Sequence, residues 1–225
     1  MLIIMMLFNS FLSIGQTKQV EVEGVFEPGW GYRGYSTSDI ESDVKFTGLF
    51  AENNVFYLKP IEVGFSEDIV ECTEDSALVL IIDEDNCLFL FPNFTGYNEA
   101  PIEAINQGER IEMSPNTQFN FTYNQINYTL QADGEMENSN IKNYTLTFFR
   151  TDCQTKQIIV ELDYIQSTEV EILFIGDLDG DGEPDIILNA PNNYENRDIM
   201  LFLSSSKHEK ELLHLEAEKF DWFDC

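Results

Sequence analysis

The stretch Glu171-Ile172-Leu173-Phe174-Ile175-Gly176-Asp177-Leu178-Asp179-Gly180-Asp181-Gly182-Glu183-Pro184-Asp185-Ile186-Ile187-Leu188 decides how the rest of the chain is read. Its centre is an acidic loop, with Asp177, Asp179, Asp181 and Asp185 at positions 1, 3, 5 and 9 and Gly182 at position 6. Alternate carboxylates on a tight turn converge on one point, which suits a hard cation that takes six to eight oxygens; that cation is Ca²⁺. Gly182 supplies the turn, and position 7, Glu183, is expected to add its main-chain carbonyl. The flanks are rich in Ile, Leu, Val and Phe, and Pro184 stands inside the loop, so both flanks are predicted to be strands. An EF-hand is excluded, because position 12 is Leu188 where that motif needs a bidentate Glu between two helices.

Phe174-Ile175-Gly176, the Asp177–Asp185 loop and Ile186-Ile187-Leu188 together resemble one FG-GAP or VCBS-type repeat, the calcium-binding strand-loop-strand of integrin-alpha-like propellers. The resemblance covers residues 170–190 and occurs once, where a full propeller repeats its blade several times. It implies that Asp177, Asp179, Asp181, Asp185 and the carbonyl of Glu183 hold calcium. A structural role for the ion is expected, because a loop that supplies most of the shell leaves little room for a substrate.

Outward from the loop, the chain reads as strand nearly throughout. Val20–Phe26 alternates apolar and acidic residues, and Asn54–Phe65 carries apolar residues at odd positions with Pro60 marking an edge or a bend. Ala77–Ile82 and Cys87–Phe91 are continuous apolar runs, predicted to be a hairpin buried on both faces. Further hairpins are expected from Gln118–Tyr123 with Ile126–Ala132, and from Lys142–Arg150 with Gln157–Leu162. The polar stretch Asp133–Asn140 is read as an exposed loop, Ile199–Leu203 as a strand, and Glu211–Trp222 as a strand in preference to a helix. The fold class is therefore all-β, with mostly antiparallel sheets in a sandwich-like or partial propeller-like arrangement around one calcium loop.

Residues 1–15 carry no charge and are dominated by Leu, Ile, Met and Phe, too short a run for a membrane span of roughly 20 residues. They are read as a signal peptide, with Ser13 and Gly15 preceding the cut. Residues 16–225 then form a secreted β domain, periplasmic or at the cell surface. Cys72, Cys87, Cys153 and Cys225 fit two disulfides in an oxidising compartment; Cys72 with Cys87 and Cys153 with Cys225 is one of the three possible pairings. Four Asn-x-Thr sites, at Asn93, Asn120, Asn127 and Asn143, read as the Asn and Thr of β structure.

A net charge of −29, from 41 acidic and 12 basic residues, repels phosphate backbones and excludes nucleic acid as a partner. No nucleophile elbow, P-loop or dinucleotide fingerprint occurs, and the histidines, His208 and His214, stand in no metal or catalytic motif. Outside the loop, Trp30, Tyr32, Arg33 and Tyr35, set among glycines, are the candidate ligand-binding residues for an extracellular protein or carbohydrate. The expected function is a secreted or cell-surface binding or adhesion module with structural Ca²⁺ and no catalysis. The alternative is a polysaccharide-directed secreted hydrolase that carries the same ion.

Overall fold

The computed structural model describes residues 24–33, 37, 40, 43–69, 76–98, 100–204 and 211–222. The proposed signal peptide lies outside them, as do Tyr35, Cys72 and Cys225. In chain order the strands are β1 (Gly31–Arg33), β2 (Phe46–Glu52), β3 (Val55–Ile61), β4 (Gly64–Ile69) and β5 (Ser76–Ile81). They continue with β6 (Cys87–Pro92), β7 (Ile111–Glu112), β8 (Thr117–Tyr123), β9 (Ile126–Glu137) and β10 (Asn140–Arg150). The last are β11 (Thr155–Gln166), β12 (Glu171–Gly176), β13 (Asp185–Asn189), β14 (Asn196–Leu203) and β15 (His214–Trp222). The fold is all-β. The strands form four antiparallel sheets, ordered β1-β5-β4, β3-β2-β6, β15-β14-β13-β12-β7 and β11-β10-β9-β8, and none closes into a barrel. Among the described residues no helix is long and apolar enough to cross a membrane.

The sheets stack in layers, and the five-stranded sheet is covered on both faces. Ile172, Ile175, Ile186 and Leu188 face one way and pack on Tyr128, Leu130, Tyr144, Leu146 and Phe148 of the four-stranded sheet. Leu173, Phe174 and Ile187 face the other way, onto Leu49, Phe56, Leu58, Phe89 and Phe91. The β3-β2-β6 sheet in turn packs, through Phe46 and Leu90, on Leu78, Leu80 and Tyr32. A strand buried on both faces has no reason to alternate, which explains the unbroken apolar flanks of the acidic loop. The outermost four-stranded sheet keeps one wet face, so β9 alternates Tyr128, Leu130 and Ala132 inward with Asn127, Thr129 and Gln131 outward.

Local hairpins fold as their sequences predict. Asn124 and Gln125, both with positive φ, join β8 to β9, and β10 pairs with β11 over their length with one bulge. Pro60 sits on β3, an edge strand, where its missing N–H costs no ladder bond. Within the 211–222 segment, His214–Trp222 is strand β15.

Three expectations are corrected. The runs Ala77–Ile82 and Cys87–Phe91 do not pair with each other: β5 lies between β1 and β4, while β6 pairs with β2. β6 lies between two layers, with Leu90 on one side and Phe89 and Phe91 on the other, whereas β5 turns Leu78 and Leu80 into the core and leaves Ile81 exposed; the apolar runs alone do not say which strand each joins. Asn54–Phe65 is two strands, since the chain leaves β3 after Ile61 and enters β4, in another sheet, at Gly64. Asp133–Asn140 is not a loop; β9 runs on to Glu137 and turns at Asn138-Ser139 into β10. Its acids ride the exposed end of the ribbon, where Glu137 pairs with Lys142 at 2.5 Å. Of the predicted strand Val20–Phe26, residues 20–23 lie outside the described residues, and Phe26 bridges to Leu90.

The β14–β15 ladder carries a buried acid. Asp198 is 8% exposed, its Oδ1 has no hydrogen-bond partner, and burial together with the Glu218 carboxylate pushes its carboxyl up to about 7. The folded state then holds this proton more tightly than the unfolded chain, so stability is lost as pH rises from about 4 to about 7 and is flat above. Asp198→Asn is expected to stabilise the protein by about 2 kcal/mol at pH 8 and to change little at pH 4. Thermal melts of both proteins at the two pH values check this; an equal gain at both would assign the effect to packing and not to charge.

Candidate metal centre

The acidic loop begins where β12 ends. At Gly176 a β-carbon would stand 2.8 Å from the Phe174 ring and 3.0 Å from Ile102, so the close packing there needs glycine. Gly180 and Gly182 have φ of +81° and +88°, the left-handed region that favours glycine, and these two residues turn the loop around. Leu178 at position 2 is fully buried in the core beside Phe174 and Ile187, and anchors the loop from within.

Asp177, Asp179 and Asp185 each bring a carboxylate oxygen to one place, all within 4.8 Å of one another. This cluster could hold a metal ion. Asp177 and Asp185 are buried and Asp179 is half-buried. Backbone N–H groups aim the carboxylates. Gly180 and Gly182 donate to Asp177 at 2.6 and 3.1 Å, and the Asp181 N–H donates to Asp179 at 3.1 Å. Leu178 N–H donates to Asp185 Oδ2 at 2.5 Å, and the N–H and hydroxyl of Ser204 donate to Asp185 Oδ1 at 2.7 and 3.0 Å.

Asp181 stands beside the cluster. Its Oδ1 accepts from the Glu183 N–H at 2.9 Å and from the Ser204 hydroxyl at 3.2 Å. The Glu183 carboxylate is turned away, accepting the Tyr128 hydroxyl at 2.5 Å and pairing with Arg150 at 2.8 Å. Thus three of the five sequence-predicted residues converge through their side chains. The other two tie the loop to its surroundings.

Electrostatics favour a cation here. Like charges within 4.8 Å of one another repel by about 3 kcal/mol or more per pair at an effective dielectric near 20. Burial drives the Asp185 carboxyl well above its ordinary range, and burial raises Asp181 as well. The Tyr123 hydroxyl is pushed up to about 12 by burial, with Asp177 and Asp185 adding to it. Arg150 does not relieve the cluster, because it is engaged by Glu183 and Asp152. The donor set of the cluster is all oxygen, with no nitrogen or sulfur, which fits a hard divalent ion.

The loop is also fastened from outside. Asn124, in the β8–β9 turn, donates to the Gly182 carbonyl at 2.7 Å; the Asn98 N–H donates to Leu178 O at 2.7 Å. Asn124, with Tyr128 on β9 and Arg150 on β10, binds this loop of the five-stranded sheet to the four-stranded one, and Asn98 ties it to the segment after β6. The sequence marks none of Ser204, Asn124, Asn98, Tyr128 and Arg150 as a partner of the loop. Each lies far along the chain from its partner, so no local spacing marks it.

In the glycine-rich aromatic stretch Tyr32 is buried and Trp30 and Arg33 are half-buried, while Tyr35 lies outside the described residues. Tyr32 is 3% exposed, edge-on to Phe26 at 4.9 Å, with its hydroxyl accepting from the Glu27 N–H at 2.6 Å. Trp30 is half-buried, and the Arg197 guanidinium lies over its ring at 5.2 Å while forming a bidentate pair with Glu27. These residues fasten the segment 24–33 to β14. Arg33 is half-buried at the end of β1. Cys87 is half-buried and Cys153 exposed, and both are free thiols; burial pushes the Cys87 thiol up to about 12.

Comparison of the chain with models of protein families, with curated proteins and with solved structures found no match.

Proposed function

We propose that the chain is a calcium-binding β module, secreted or displayed at a cell surface, in which Ca²⁺ has a structural and not a catalytic role. The observation that carries this reading is the convergence of Asp177, Asp179 and Asp185 in a largely buried, all-oxygen cluster. Ca²⁺ suits it better than Mg²⁺, because carboxylates spaced along a loop provide the larger, irregular shell that Ca²⁺ takes, whereas Mg²⁺ demands a near-ideal octahedron. The Glu183 carbonyl and Asp181 are the further oxygens that complete the shell. The likeness of residues 170–190 to an FG-GAP or VCBS repeat supports the same ion. Binding at an extracellular affinity, with Kd of roughly 10⁻⁴ to 10⁻³ M, keeps the site filled outside a cell and empty in a calcium-poor cytosol.

The consequence is measurable. At calcium a hundred times above Kd the folded state gains about 2.7 kcal/mol. A thermal melt is therefore expected to shift upward by several degrees on adding calcium and to return on adding chelator. Asp179→Asn reduces that shift. A melt indifferent to both calcium and chelator would refute the reading.

A further inference from the structure

Asn120, Thr122, Asn127 and Thr129 form a double cross-strand lattice on the wet face of the four-stranded sheet. Asn120 is register partner to Thr129, and Thr122 to Asn127. The Thr129 hydroxyl donates to Asn120 Oδ1, and the Thr122 hydroxyl to Asn127 Oδ1, both at 2.7 Å. Gln118, Gln131 and Thr147 form the next row, and Phe149 extends the Asn120–Thr129 row onto β10.

This face has no formal charge across β8, the first half of β9 and the middle of β10. No Asp, Glu, Lys or Arg occurs in 113–132 or in 143–149, in a chain with 41 acidic residues. Gln118, Asn120, Thr122, Asn127 and Gln131 are exposed, and Thr147 and Phe149 half-exposed. Charged residues return at the rim, with Asp133, Lys156 and Glu161. The threonines take the asparagine carbonyl oxygens, so the amide N–H groups of Asn120 and Asn127 remain for a ligand.

We infer that this face binds a neutral polysaccharide. A surface at net −29 repels anionic polymers, and on this face a cationic peptide meets carboxylates only at the rim, where Asp133 accepts from the Gln131 amide and Glu161 stands on β11. What remains attractive is a ligand that is polar, uncharged and repetitive. The lattice repeats about every 4.8 Å between strands and about 6.8 Å along them. It offers amide and hydroxyl groups in rows that hydroxyls on successive sugar rings can meet, and Phe149 supplies an apolar surface for a ring's C–H face. A protein partner fits less well, because interface centres are enriched in Tyr, Trp, Phe, Met and Arg, and of these the two rows present Phe149 alone.

The inference rests on reading the chain as a binding module, but not on the ion, so the calcium melt and the test below can fail separately. The test is native gel electrophoresis of unglycosylated protein through gels containing hydroxyethylcellulose, laminarin or galactomannan. Retardation is expected in at least one. Asn120→Asp combined with Gln131→Glu, near-isosteric changes that place charge on the face, should weaken it about five-fold or more, as a cost near 1 kcal/mol does. Gln107→Glu, an exposed site elsewhere, should leave it unchanged. Thr147→Ala is the second face variant should the double variant melt early. No retardation in any of the three gels overturns the proposal. So does retardation that survives both face variants, or a concentration-dependent dimer abolished by them in place of sugar binding.

Discussion

Asp185→Ala is expected to lower stability by about 3 to 5 kcal/mol in calcium and to abolish the calcium-dependent rise in Tm. The fully buried carboxylate accepts three hydrogen bonds, from Leu178 N–H, Ser204 N–H and the Ser204 hydroxyl. Removing it leaves the Leu178 and Ser204 N–H groups without an acceptor, each at a cost of about 1 to 3 kcal/mol where water cannot reach, while the Ser204 hydroxyl keeps Asp181 Oδ1. In chelator the loss should be smaller, because the same change relieves the repulsion among Asp177, Asp179 and Asp185. Chemical denaturation in calcium and in chelator separates the two contributions. Equal losses in both would mean that Asp185 serves the fold alone.

Phe174→Ala is expected to cost about 3 to 5 kcal/mol with or without calcium. Its side chain is fully buried between β12 and the β3-β2-β6 sheet, with its ring edge-on to Phe56 at 5.5 Å. That ring pair adds about 0.5 to 1.5 kcal/mol beyond area alone. The ring also fills the space beside Gly176, where no other side chain fits, so truncation leaves a void in a place with little freedom to collapse. Denaturation midpoints of the two proteins measure it; a loss below about 1 kcal/mol would mean that the layers close over the gap.

These effects follow from features of unequal visibility in the sequence. Hairpins were legible wherever one sheet face stays wet: the alternation in Asn127–Ala132 and the turn at Asn124-Gln125 name both strand and partner. The three converging aspartates were legible because their spacing is local. Pairing across layers was not, since β5 and β6 are each apolar on both sides and nothing nearby says which strand they join. The acidic run through 133–137 looked like a loop because its strand character is held by its partner β10, with no core beneath every residue. The carboxylate of Glu183, whose main-chain carbonyl alone was assigned to the loop, serves Arg150 on β10, 33 residues back in the chain, a partner that no local spacing marks.

The double covering of the five-stranded sheet also shapes how β12 and β13 find their alignment. Register is ordinarily enforced because a slip by one residue turns apolar side chains out to water. Ile186, Ile187 and Leu188 are all buried, so β13 displaced by one position would still fill both interiors. The stop against sliding must come from the ends, where Leu178 and Ser204 grip Asp185 and the two left-handed glycines leave the connection no slack. The acidic turn is thus the ratchet tooth of the hairpin, holding one alignment among several that oil and water alone would accept.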